Sequence, residues 1–479
     1  MPTEPSSTPR SIGAVTLVCL VVASMIGVGV FTSSGFALAA LGNPGRVMFA
    51  WVLCGLWALC GAVGYGVLAA RVPHSGGEYL YLSRLAHPSL GFLAGWISLI
   101  AGFSAPVAMT AKAAAVYCLS AANAQQALSA EFAWLESVSG IRWTVPANAE
   151  DFLHNQFAIG LILIATVSYL AHLSLGTTIQ NAVVFLKVLL IVVLAVWAFG
   201  FTTADRWQGG VLGNRDPSWC PESLSAWLVL LGSMSWITLS YTGFNAAVYV
   251  AGQSIAGQRT VPRAMVLATL SVTLIYIVLN VIFVCAPRPE DIAGKKEVAA
   301  IASLAVGGES MELFVRIIIA LALISSVFSL MLAGPRVYWQ MARDGVMPKL
   351  FDSSGKVPRL SVLVQSLLSI VMVWLASIHE LLSYLGLTLS ACGALAVATI
   401  WRLEKVYPNV KPIRRWEYLL GALYVIGTVI ISLAAATQRP KEFVAFLITV
   451  VVGFVLYAVW HAMSRRRPIK GSLNNAKTK

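Results

Sequence analysis

Residues 24–35 read Ser24-Met25-Ile26-Gly27-Val28-Gly29-Val30-Phe31-Thr32-Ser33-Ser34-Gly35. They lie in an apolar run near 12–40, long enough to cross the hydrocarbon core of a bilayer as a helix. Two glycines flank a single residue at mid-run, and a polar cluster follows. A helix in lipid must satisfy its own backbone. Irregular backbone at that depth is tolerated only where it is buried in protein or lines a cavity. Glycine costs about 1 kcal/mol in a helix interior and lets another group approach the backbone. The stretch therefore reads as a break in the helix. Taken alone, it reads equally as a small-residue surface for helix packing.

A second stretch decides between the two. Ser240-Tyr241-Thr242-Gly243-Phe244-Asn245 occupies the middle of another apolar run, near 225–250. The two interrupted runs are the first and sixth along the chain, so each opens a unit of five. Interrupted helices at matching places in two halves mark inverted-repeat transporters, whose substrate binds where the helices break.

The whole chain fits that frame. Of 479 residues, 58% are hydrophobic and 11% are charged, against roughly 25% charged in soluble proteins. A soluble fold has too little interior for this much apolar surface, and the short alternating strands of a β-barrel are absent from the pattern. Twelve spans are expected, near 12–40, 47–70, 90–120, 157–173, 179–201, 225–250, 262–286, 311–342, 360–378, 381–402, 417–436 and 443–463. The expected fold is an all-α membrane protein. It has two inverted five-helix repeats (spans 1–5 and 6–10) plus two further helices, with spans 1 and 6 unwound at mid-membrane. Residues 1–11 form a polar tail, 12–463 a single transporter domain and 464–479 a basic tail. The longest polar stretch, about 121–156, has room for a short surface helix. Span one follows the tail without a small-residue cleavage site, so it reads as a retained helix.

Charge sets the orientation. With the N-terminus inside, the inner loops hold Arg71, Arg84, Arg259, Arg263, Arg336, Arg343, Arg402, Lys405 and Arg465–Arg467 among others. The outer loops hold about half as many basic residues and most of the acids, which puts both termini in the cytoplasm. Anionic lipid headgroups account for the net charge of +13 without nucleic acid. The seven cysteines and six histidines show no metal-ligand spacing and no catalytic grouping, so no enzyme, metal or cofactor is expected. No N-glycosylation acceptor pattern occurs, which fits a multi-pass protein of a bacterial inner (plasma) membrane.

The breaks suit a zwitterion. A broken helix exposes N–H groups at one new end and carbonyls at the other. The N–H groups of Gly27, Val28 and Gly29 are expected to hold a carboxylate, and the carbonyls of Met25, Leu239 and Thr242 an ammonium. Ile26, Tyr241, Gly243, Phe244 and Asn245 complete the expected site, with Phe244 shaping the side-chain end. Three basic residues fall inside spans: Lys112, Lys187 and Arg316. Intramembrane ions are costly and usually functional. Arg316 lies near a span end and can snorkel. Lys112 is balanced between a cavity-facing and a structural role. Lys187 is at the middle of span five, with no acidic residue at its depth in any span. A desolvated amine is also a candidate proton carrier. The lack of an acid in any span core favours neutral substrates.

Several segments in order resemble the amino acid–polyamine–organocation superfamily, and within it the permeases related to L-type and cationic amino acid transporters. They are Met25–Phe31, Pro73-His74-Ser75-Gly76-Gly77-Glu78-Tyr79, Ser240–Asn245, Thr260-Val261-Pro262-Arg263-Ala264, Gly334-Pro335-Arg336 and Met341-Ala342-Arg343-Asp344-Gly345. Many L-type members carry Trp where this chain has Phe244. After span six, Gln253 stands at a position that is often acidic. The resemblance implies alternating access, as an exchanger or a proton- or sodium-coupled symporter. It also implies that Lys187 matches the span-five lysine that takes the place of sodium in sodium-independent members. Its implied partners are the Gly27 carbonyl and the hydroxyl of Ser325 or Ser326. The expected function is sodium-independent transport of neutral L-amino acids, with proton coupling or exchange left open. A polyamine or cationic amino acid transporter of the same fold is the alternative.

Overall fold

The computed structural model describes residues 12–72, 76–119, 129, 136–137, 148–171, 177–203, 206–208, 219–254, 257–343, 347–352 and 358–465; at 177–186, 188, 253, 349 and 463–465 it describes backbone alone. Among these residues all regular structure is helical, apart from a single bridge between Ile12 and Ser254. The principal helices are α1 (Ala14–Met25), α2 (Val28–Leu41), α3 (Pro44–Arg71), α4 (Pro88–Cys118), α5 (Ala149–Leu170), α6 (Thr177–Gly200) and α7 (Leu224–Tyr241). They continue as α8 (Gly257–Cys285), α9 (Val298–Arg343), α10 (Arg359–Leu375), α11 (Ile378–Val406), α12 (Arg415–Gln438) and α13 (Pro440–Arg465). Nine helices among the described residues are long and apolar enough to cross a bilayer, and the bent pair α1–α2 makes a tenth. Apolar helix also fills Leu189–Gly200 and Arg359–Leu375, over shorter lengths. The chain is a multi-pass integral membrane protein.

Local chemistry sets where the helices start and stop. Asn43 caps α3 by accepting from the Gly45 amide at 2.7 Å, with Pro44 at the first helical position. Ser377 and Glu380 form a capping box at the start of α11. Glu150 and Asp151 occupy the first turn of α5, so this helix begins eight residues before the apolar run near 157. Acidic residues favour a helix N-terminus, and hydropathy alone misses such a polar first turn. The remainder of the polar stretch, through 147, lies almost wholly outside the described residues. α9 is 46 residues long, more than twice what a bilayer needs, and turns at Gly308, where φ is +72°. The part before Gly308 is a separate short helix.

Small residues let the helices approach. α3 packs along the length of α8. A Cβ at Gly55 would lie 2.4 Å from Thr273 Cγ2, and one at Gly66 3.1 Å from Pro262 Cβ. α2 packs on α7, where a Cβ at Gly29 would lie 2.5 Å from Ser240 Oγ. In lipid such close packing replaces the hydrophobic drive between helices. α4 likewise packs on α9, and α5 on α10.

Candidate functional site

The helix started at Ala14 ends at Met25. Ile26 is extended (φ −75°, ψ 93°), Gly27 follows at φ −132°, ψ −161°, and Val28 opens α2 with its axis turned by 42°. No side chain caps this new N-terminus. The first amides of α2 lack intrahelical acceptors, as at any helix start. They belong to Gly27, Val28 and Gly29, with Val30 as a fourth. Gly27 is half-buried while Met25, Ile26, Val28 and Gly29 are buried. A Cβ built on Gly27 meets only the Met25 carbonyl oxygen, at 4.0 Å. The space on the Cβ side of Gly27 is open.

The second break lies beside the first. α7 ends at Tyr241, Thr242 is extended (ψ 152°), Gly243 has φ +98°, and a 3-10 helix runs over Ala246–Gln253. Thr242 Oγ1 donates to the Leu239 carbonyl at 2.6 Å, and Tyr241 donates to the Trp51 carbonyl at 3.1 Å. A Cβ on Gly243 would lie 2.8 Å from the Ser24 carbonyl oxygen. The two interrupted segments are therefore in backbone contact. Tyr276 of α8 ties them together: its hydroxyl lies 2.7 Å from the Met25 carbonyl and 2.9 Å from that of Ser240. Of the carbonyls expected to receive an ammonium, those of Met25 and Leu239 thus already accept a hydroxyl. The polar cluster after the first break serves packing, since Trp51 Nε1 donates to Ser34 Oγ at 3.0 Å and Ser34 bonds Asn280.

The remaining expected residues fall into two places. Lys187 is buried, and its ammonium donates to Ser326 Oγ at 2.9 Å, joining α6 to α9. Ser325 is one residue away, and its carbonyl accepts from Ser329 at 3.0 Å. No hydrogen bond from Lys187 to the Gly27 carbonyl forms among the described residues. Phe244 is buried edge-on against Tyr65 (5.7 Å) and Tyr424 (6.0 Å). Asn245 donates to Glu78, as do Tyr65, at 2.9 Å, and Tyr249. Glu78 stands in the short helix Gly77–Tyr81. An acid that sequence order assigns to a loop thus reaches the end of the second break.

The other intramembrane cations are engaged. Lys112 donates to the carbonyls of Val373 (2.9 Å) and Ala376 (2.8 Å), capping the C-terminus of α10. Arg316 pairs with Glu312 at 2.9 Å, so it does not stand alone in the membrane. A fourth buried cation is missing from the sequence reading because it follows the apolar run that ends near 436. Arg439 places its guanidinium 3.3 Å from the Trp236 ring centroid and donates to the Gly232 carbonyl (2.8 Å) and Ser235 Oγ (2.6 Å). Trp236 in turn faces His379 and Phe36, with centroids at 4.8 and 6.1 Å. A buried arginine needs such partners, but sequence distance hides which helix supplies them.

Two interrupted helices thus lie in backbone contact, the first of them starting without a side-chain cap. Residues 12–465 match the family described as "Amino acid permease". The chain belongs to this family. It is a permease of the amino acid–polyamine–organocation superfamily, and a transporter rather than an enzyme. The permease is 23% identical to mouse "b(0,+)-type amino acid transporter 1" over 459 residues, covering 94% of this chain and 88% of that one. It is 22% identical to the human "Cystine/glutamate transporter" over 456 residues, covering 94% and 85%. Against the mouse "Large neutral amino acids transporter small subunit 2" the permease is 24% identical over 380 residues, covering 79% and 67%.

Proposed function

We propose that this permease carries neutral L-amino acids by alternating access, through a site at the paired breaks, without sodium. The observation that carries the reading is the uncapped helix start at Gly27, Val28 and Gly29, with open space beside Gly27. A carboxylate placed there gains charge-assisted N–H bonds and the favourable end of a helix dipole. The Thr242 carbonyl, together with the second lone pairs on Met25 and Leu239, accepts the ammonium. The side chain then extends toward the second break, where Phe244 bounds the space. Glu78 meets that break from the short helix Gly77–Tyr81, outside the spans, with three neutral donors holding its carboxylate in place. The lack of an acid in any span core of the sequence supports neutral substrates over polyamines. In the same reading the Lys187 ammonium on Ser326 fills the cation position between spans one and eight, with exchange or proton coupling as the driving mode.

The inverted repeat is part of the proposal. Counting α1–α2 as one span and including α6 and α10 gives twelve. The extensive contacts α2 with α7, α3 with α8, α4 with α9 and α5 with α10 each join helices five apart. Two five-helix units related by an axis in the membrane plane would pack in this way. Both termini are assigned to the cytoplasm, in a plasma membrane of bacterial type.

Uptake by the purified protein in proteoliposomes, with a panel of labelled amino acids and polyamines, tests the proposal. Neutral amino acids should accumulate equally in sodium and in choline at fixed pH. Uptake that collapses in choline, or a ranking led by polyamines, would refute it. A reporter fused after Lys479 should read as cytoplasmic.

A further inference from the structure

A second cavity lies apart from the two breaks, with a volume of about 260 Å³. It is formed by the end of α4, the start of α5, the α10–α11 corner and the segment that carries Lys296. Lys296 also pairs with Asp151 here, at 3.0 Å. A water molecule needs about 30 Å³, so the space holds a molecule the size of an amino acid or a headgroup.

The lining has an unmet demand. His154 is only 4% exposed, and among the described residues its Nδ1 has no hydrogen-bond partner. Glu150 approaches that atom to 3.8 Å, beyond hydrogen-bond reach. A neutral imidazole with its proton on Nε2 presents Nδ1 as an acceptor. The next residue, Asn155, also presents a buried Oδ1 without a partner. Two adjacent buried acceptors left empty are costly, which points to a missing donor. The cations on the same wall are half satisfied. Lys112 gives two bonds to carbonyls and has a third proton to offer. Lys296 is bound on one side only, by Asp151. Trp374, half exposed, supplies an apolar flank.

We infer that this cavity is a binding site for a zwitterion that pairs a primary ammonium with an anionic oxygen group. The ammonium donates to His154 Nδ1 and Asn155 Oδ1; the anionic oxygens take Lys112 and Lys296. Free amino acids and aminophospholipid headgroups share this chemistry. The site is separate from the Gly27 opening and does not depend on where the transported substrate binds.

The test is native mass spectrometry of the delipidated full chain, titrated separately with leucine, a short-chain phosphatidylethanolamine and the matching phosphatidylcholine. Gly27→Leu serves as the background, so that the opening in α1–α2 contributes nothing. The expected result is one saturable equivalent of leucine or of the ethanolamine lipid, and none of the choline lipid, whose ammonium has no N–H. Association should weaken at least about tenfold in Asn155→Leu, the loss of one hydrogen bond to a charged group. His154→Phe keeps the ring volume and should weaken it similarly, so a folding defect in one variant does not decide the matter. Leucine binding assigns the site to a free amino acid, and ethanolamine-lipid binding to a headgroup; either sustains the inference. It is overturned by no saturable binding of either, by equal binding of the choline lipid, or by indifference to both substitutions. The cavity would then hold water alone.

Discussion

Gly27 and Gly243 look alike in sequence, each a glycine in a polar patch at the middle of an apolar run, yet the fold uses them for different things. Gly27 has extended backbone that any residue adopts, and the space around its Cβ position is empty. Gly243 has φ +98° and stands against the Ser24 backbone. The first glycine leaves its Cβ side open, and the second makes a conformation and a contact. Helix breaks of one kind in sequence thus divide into an open one and a packed one.

That contrast is broken most decisively at Gly27. Gly27→Leu should insert and melt like the parent but transport at background, because the new side chain fills the open space. Near-normal uptake by a well-expressed variant would end the assignment of the substrate to this opening. Next in size is Lys187→Ala. Removing the ammonium severs the tie between α6 and α9, and most transport should be lost although Lys187 touches no substrate in the proposed site. An uptake rate within twofold of the parent, measured with matched protein in liposomes, would show that Lys187 is dispensable.

Smaller and different in kind is the pair Gly243→Ala and Gly27→Ala. A positive φ costs an L-residue about 1–2 kcal/mol, and here a methyl also meets the Ser24 carbonyl. Gly243→Ala should lower the melting temperature of the purified protein, whereas Gly27→Ala should leave it unchanged. Equal melting shifts would erase the distinction between the breaks. The smallest effect is expected at Phe244→Ala. The ring bounds the space from a position packed on Tyr65 and Tyr424, so its loss should reorder the preference among neutral amino acids more than it lowers expression. An unchanged ranking across a full panel would leave Phe244 as packing only.

What the sequence makes legible follows from what lipid forbids. Glycines and hydroxyls at mid-span are expensive there, so Met25–Gly29 and Ser240–Asn245 stand out without any knowledge of neighbours. Lys187 stands out for the same reason. Partners do not. Tyr276 is one of several aromatic residues in apolar runs, and its rotation toward the two breaks depends on how α8 packs. Glu78 lies in a polar segment between two runs, and only the fold brings it under Asn245. Arg439 falls just outside α12, so hydropathy places it in a loop, while its guanidinium lies against Trp236. The lengths of spans near Glu150 and Gly308 were hidden by polar first turns and by one reversed glycine. These signals are set by tertiary contact rather than by local composition.

Tyr276 carries one hydroxyl proton and faces two carbonyls, at 2.7 and 2.9 Å. A single proton cannot serve both at full strength. While the two interrupted segments stay together, they share it. Any movement that draws them apart obliges the hydroxyl to follow one carbonyl and abandon the other. The abandoned oxygen, in a dry interior, then has a strong appetite for another donor. An arriving ammonium can meet that need, so the arrival of cargo and the parting of the two segments draw on the same lone pair. On the proposed reading, the phenol is a turnstile with a single token, and whichever segment keeps it leaves the other free to greet the passenger.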